Sequence, residues 1–118
     1  MNRASYGTES LAINTLIAGD FPRVTRKVTI AAGTALPMGA LLGQITASTK
    51  YVLSLAASSD GSQAPSAILA EDLDASGSDR QAIVYFTGEF RSDGMTFGTG
   101  HTASSTRGAL RALSIFTV

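Results

Sequence analysis

The chain has 118 residues, 44% apolar and only 15% charged, with nine basic side chains balanced by nine acidic ones; one small domain with a modest core is the simplest reading. It contains no cysteine, which excludes a disulfide framework, a thiolate metal site and a cysteine nucleophile. No apolar run approaches the length of a membrane-spanning helix, and no basic run exceeds Arg26-Lys27, so membrane insertion and nucleic-acid binding are disfavoured.

The start of the chain leads into no apolar core of signal-peptide type, and the expectation is a protein made and used in the cytoplasm of its producing cell. Residues 1–15 hold few sizeable apolar side chains, among them Tyr6, Leu11 and Ile13. Burial of so little area does not offset the entropy of ordering the segment. Leu16, Ile17 and Phe21 then stand among the turn formers Gly19, Asp20 and Pro22. This apolar patch either docks on a partner or folds back on its own core. The reading sets a flexible arm over residues 1–22 and a β domain over 23–118.

From Val24 to Ile30 the residues alternate, with Val24, Arg26, Val28 and Ile30 on one face and Thr25, Lys27 and Thr29 on the other. That pattern predicts a half-buried, β-branched strand. Gly33 and Pro37-Met38-Gly39 punctuate the stretch after it. Leu41 to Thr46 and Tyr51 to Leu55 predict two strands of a hairpin joined by a short turn. Ala56 to Ser66 reads as a loop, with Asp60-Gly61 as a turn signal. Two further strands are expected near Ala67–Ala70 and Gln81–Thr87, separated by the acidic Glu71-Asp72-Leu73-Asp74 and a Ser/Gly loop. A second loop comes after Phe90, with Met95 and Phe97 as anchors. From His101 to Leu113 the period changes: Ala103, Thr106, Leu110 and Leu113 mark one helical face, Thr102 is placed to cap it, and Arg107 and Arg111 suit its C-terminal half. Ser114 to Val118 alternates again. The predicted fold is mainly β with one short C-terminal helix, a mixed α+β arrangement.

Charge is unevenly spread. Residues 1–50 carry Arg3, Arg23, Arg26, Lys27 and Lys50 against Glu9 and Asp20, whereas residues 51–100 carry Arg80 and Arg91 against Asp60, Glu71, Asp72, Asp74, Asp79, Glu89 and Asp93. No catalytic set emerges from these groups. His101 is the only histidine, and no serine lies in a nucleophile elbow. The Glu71–Asp74 carboxylates lack the alternating ligands and central glycine of a calcium loop. Gly33, Gly39 and Gly43 are followed by no Gly-Lys-Ser/Thr and serve turns and bulges. The expectation is therefore no enzyme, no catalytic residue, no cofactor, no metal and no small-molecule substrate.

The ordered set Asp60-Gly61-Ser62, Ala67-Ile68-Leu69-Ala70, Ala82-Ile83-Val84-Tyr85, Gly88-Glu89-Phe90-Arg91, a helix, and the terminal Ser114-Ile115-Phe116-Thr117-Val118 resembles the head decoration protein family of phage lambda. Ala31 to Gly43 resembles that family's first core strands, and the likeness covers roughly residues 28 to 118. The helix is Ser/Ala-rich rather than strongly charged, and no tryptophan or proline follows Phe90-Arg91, both departures from the family pattern. What the resemblance implies is a homotrimeric capsid cement. Such a protein sits on the virion capsid surface after synthesis in the host cytoplasm, braces the expanded head against its packed genome, and orders its N-terminal arm against the major capsid protein. Residue chemistry is compatible with an arm that adds a strand to a capsid subunit's edge. On this reading Leu16, Ile17, Phe21, Val24 and Val28 form its buried side. Arg23, Arg26 and Lys27 meet acidic loops of the capsid or of another copy, and Asp20 completes the arm set. An alternative of another class is a virion spike or tail-associated β module that binds a receptor or glycan. A small hydrolase dependent on His101 is a third.

Overall fold

A computed structural model describes residues 16–118. Among the described residues, nine strands and one α-helix run in order: β1 (Thr25–Ile30), β2 (Ala35–Leu36), β3 (Leu41–Gln44), β4 (Tyr51–Leu53), β5 (Pro65–Leu69), β6 (Leu73–Asp74), β7 (Arg80–Tyr85), β8 (Gly88–Phe90), a 3-10 turn (Ser92–Gly94), α1 (Ala103–Ala112) and β9 (Ile115–Thr117). These residues form a mainly β fold with a short C-terminal helix, as expected. Five strands close a small barrel in the order β1-β4-β3-β5-β7. The hairpin of β3 and β4 is present, and β5 and β7 pair antiparallel across the acidic connection.

Side-chain alternation along the barrel strands divides the protein's apolar residues between two cores. Ile30, Leu42, Tyr51, Ala67, Leu69, Ala82 and Val84 point into the barrel, where Leu36, Ala40 and Ala75 also pack. Leu41 and Ile68 point outward on the same strands and meet Leu16, Phe90, Met95, Leu110 and Ile115 in a second core. Strands β3 and β5 are thus buried on both faces, which is why Leu41-Leu42 and Ala67-Ile68-Leu69 read as continuous apolar runs. Each fully buried Leu or Ile contributes about 1.5–3 kcal/mol of transfer free energy. The register of β3 against β5 shifts between Leu42 and Gly43. A Cβ at Gly43 would collide with the Ser62 carbonyl, so the bulge needs glycine there.

Helix α1 covers the second core with Thr106 and Leu110. Its start is a capping box: Thr102 Oγ1 accepts from the Ser105 N–H at 3.1 Å, and the Thr102 N–H donates to Ser105 Oγ at 2.9 Å. Gly108 weakens the helix by about 1 kcal/mol relative to alanine, and packing compensates. Leu113, expected on the apolar face, instead ends the helix and is exposed, because Ser114 turns the chain in the left-handed region at φ 64°. The chain then re-enters as β9, parallel to β8. A parallel pair requires a long crossover, and α1 supplies it.

Three further features differ from the sequence expectation. Pro65 opens β5 rather than lying in a loop, allowed because its missing N–H falls at a strand start. The two-residue strands β2 and β6 pair with each other and are too short to show periodicity. Val24 precedes β1 and is 49% exposed, so it does not share the buried face of Val28 and Ile30.

Candidate interaction surface

The expected arm residues occupy two different environments. Leu16 is 2% exposed and lies in the second core. Ile17 bridges antiparallel to Phe90, the Ala18 N–H donates to the Glu89 carbonyl at 3.0 Å, and the Arg91 N–H donates to the Leu16 carbonyl at 2.6 Å. The segment therefore lies along the edge of β8 that β9 leaves free. Phe21 meets Phe116 edge-on at a centroid distance of 5.0 Å, and its N–H donates to Glu89 Oε1 at 3.1 Å. Thr87 Oγ1 accepts from the Val24 N–H at 3.0 Å and donates to the Pro22 carbonyl at 2.7 Å. Residues 16–22 are laid against the body by these contacts, where a loose arm was expected over 1–22; residues 1–15 of that arm lie outside the described residues. Of the two outcomes open to the apolar patch, the structure has it folded back. Leu16 and Ile17 join the second core, Phe21 packs on Phe116 and Val28 on the barrel core, so each has apolar contact within its own chain. Asp20, Arg23, Val24, Arg26 and Lys27 remain exposed.

A groove of about 410 Å³ opens beside β1. It exists because β1 meets β4 only at the single parallel pair Ile30↔Tyr51, while its other side pairs with β7 from Thr25 to Ile30. Arg26, Lys27 and Lys50 line the groove with Tyr51 and Phe86, and among the described residues no carboxylate does. Burial raises the Tyr51 phenol above its ordinary pKa, partly opposed by the nearby Arg26 cation. Lys50 belongs to this site although it lies far from Arg26 in the chain, and no local pattern marks it. Only the barrel seam brings them together.

The acidic residues take a different role. Glu71 Oε2 accepts from the Ile83 N–H at 2.8 Å, Asp72 Oδ1 from the Met38 N–H at 2.7 Å, and Asp79 Oδ1 from the Ala32 N–H at 2.8 Å. Each satisfies a backbone donor on a different segment, so the carboxylates diverge instead of converging on an ion. Among the described residues no group of three or more potential ligands could hold a metal. Asp79 also pairs with Lys50 at 2.5 Å. Hydrogen bonds from Lys50 and from the Ala32 N–H hold its carboxyl below the usual range, and those from the Ser62 hydroxyl and N–H do the same for Asp60.

His101 does have a serine neighbour: its Nε2 lies 3.1 Å from Ser54 Oγ. Ser54 is fully buried and donates its own proton to the Ser62 carbonyl at 2.7 Å. The imidazole must then be the donor toward Ser54, the reverse of a base activating a nucleophile. The pair ties the start of α1 to the β4–β5 connection, with the Ser54 hydroxyl shielded from solvent.

The described residues thus offer a small β body with residues 16–22 packed down on it, a basic strand-edge groove and, among themselves, no converging set of carboxylates. Curated proteins give no match to the chain. The family model described as bacteriophage lambda head decoration protein D matches residues 7–117, nearly the whole sequence, and its span takes in both cores, the helix and the exposed basic segment: the chain belongs to the phage head decoration protein family.

Proposed function

We propose that this protein is a non-enzymatic cement that binds the expanded phage head as a homotrimer and stabilises the shell against the packed genome. The observation that carries this reading is the family match over residues 7–117. The surface supports it: the charged side chains Asp20, Arg23, Arg26 and Lys27 and the apolar Val24 stand exposed where the N-terminal segment joins the barrel. Asp20, Arg23 and Val24 contact the major capsid protein, together with residues 1–15. Leu16, Ile17, Phe21 and Val28 serve the contact by anchoring the segment to the body. A trimer engages three capsid sites together, so modest contacts suffice. The protein is made in the host cytoplasm and ends on the outer surface of the capsid.

The test is co-sedimentation of the purified protein with expanded, undecorated heads of its own phage. Saturable binding is expected, and removal of residues 1–15 is expected to weaken it by roughly tenfold or more, as loss of a contact made at three linked sites should. Heads that sediment without bound protein at any concentration overturn the proposal.

A further inference from the structure

Two strand edges of opposite charge are left open on this molecule. The Phe86 N–H donates to the Val24 carbonyl at 2.7 Å, which sets the phase of the β1–β7 ladder. With Val24, Arg26 and Val28 directing their backbone groups to β7, those of Thr25 and Lys27 point the other way, and Lys27 lines the groove. Among the described residues no strand pairs with that part of β1, since β4 reaches only Ile30. The charged side chains that line this edge are Arg26, Lys27 and Lys50, and since Asp79 already pairs with Lys50, Arg26 and Lys27 carry its positive charge. The second edge belongs to β6, which among the described residues pairs with β2 alone. It carries Glu71-Asp72-Leu73-Asp74, where Glu71, Asp72 and Asp74 are exposed and Leu73 half-buried. The hydrogen bonds that these carboxylates accept from their own chain leave their charge in place. Within one chain the two edges cannot meet. Glu71 is bound to Ile83 on the β5 side of β7, and β7 separates it from β1.

We infer that the β1 groove seats the acidic Glu71–Asp74 edge of a second copy of this chain, strand edge to strand edge. Backbone hydrogen bonds supply the generic affinity, and the opposed charges set the partner and the register. Because one patch is basic and the other acidic, the contact is heterologous, and repeated by rotation it closes a ring. The inference rests on the homotrimer reading and gives that trimer its contact.

Charge exchange tests it. By sedimentation velocity, Arg26→Glu/Lys27→Glu should weaken self-association by roughly tenfold or more, and Glu71→Lys/Asp74→Lys should do the same. Both losses should be larger at low salt. The chain carrying all four substitutions should associate within about threefold of the original, because attraction is restored with the signs exchanged. Far-UV circular dichroism verifies that each variant is folded. Rescue by the fourfold variant supports the inference even if one pair also destabilises its own chain. Association unchanged in both paired variants overturns it. So does loss without rescue, which would mean the groove takes another occupant, the chain's own residues 1–15 or a capsid segment. A starting protein that is monomeric at all concentrations also overturns it, while head binding is judged separately by co-sedimentation.

Discussion

Asp60, Asp74 and Asp79 show how single exposed side chains organise this protein's connections. Asp60 accepts from the Ser62 N–H at 3.0 Å and its hydroxyl at 2.5 Å, and Asp74 does the same for Ser76 at 3.0 and 2.6 Å. These are turns held by a side chain that substitutes for a backbone acceptor. Asp79 joins the end of β1 to the β3–β4 turn through Ala32 and Lys50. All three carboxyls are held below the ordinary aspartate range. A lowered folded-state pKa means that stability is present above the unfolded value and is lost as pH falls through the folded one. Thermal stability should therefore be flat near neutrality and decline below about pH 4. Asp79→Ala should be less stable than the parent at pH 7, and the gap should narrow as pH falls below about 4 and the carboxyl takes up its proton. Melting curves across that range check it. A gap that persists at the acid end would show that Asp79 acts through packing rather than charge.

At the scale of elements, the strands with strong alternation and the capped helix were legible because their signals are local. Thr102 lies where a cap belongs, and the spacing of Thr106 and Leu110 selects the face that α1 buries. The N-terminal segment was not legible in that way. Leu16, Ile17 and Phe21 are apolar whether they wait for a partner or fold back, and only the position of β8 and the second core decides between the two. Leu16→Ala should cost about 2–5 kcal/mol, the range for a large side chain removed from a packed core. Denaturant unfolding measures it. A cost below about 0.5 kcal/mol, the level of an ordinary surface substitution, would show that the segment contributes nothing to the body.

For the molecule as a whole, the consequence of sharing β3 and β5 between two cores is cooperativity. Leu41 and Leu42 are adjacent in the chain yet serve different cores, as do Ile68 and Leu69. Neither the barrel nor the helical layer can open without exposing the other. Calorimetric and van't Hoff enthalpies of the dissociated chain are expected to agree, as for a single two-state unit. Two separate transitions would show that the helical layer melts on its own.

The same distinction separates what was written in the chain from what was not. Residue order alone was enough for the β-rich class, the C-terminal helix and its cap, most barrel strands, and the motif order that identifies the decoration family. Each of these depends on neighbours a few residues apart or on the order of short segments. Contacts across the folded molecule were needed for the burial of Leu16, the pairing of β2 with β6, the dispersal of the acidic residues onto separate backbone donors, and the single-pair seam that gathers Arg26, Lys27 and Lys50. Those depend on which strand edges meet across the barrel, and residues far apart in sequence carry no local mark of where a sheet will fail to close.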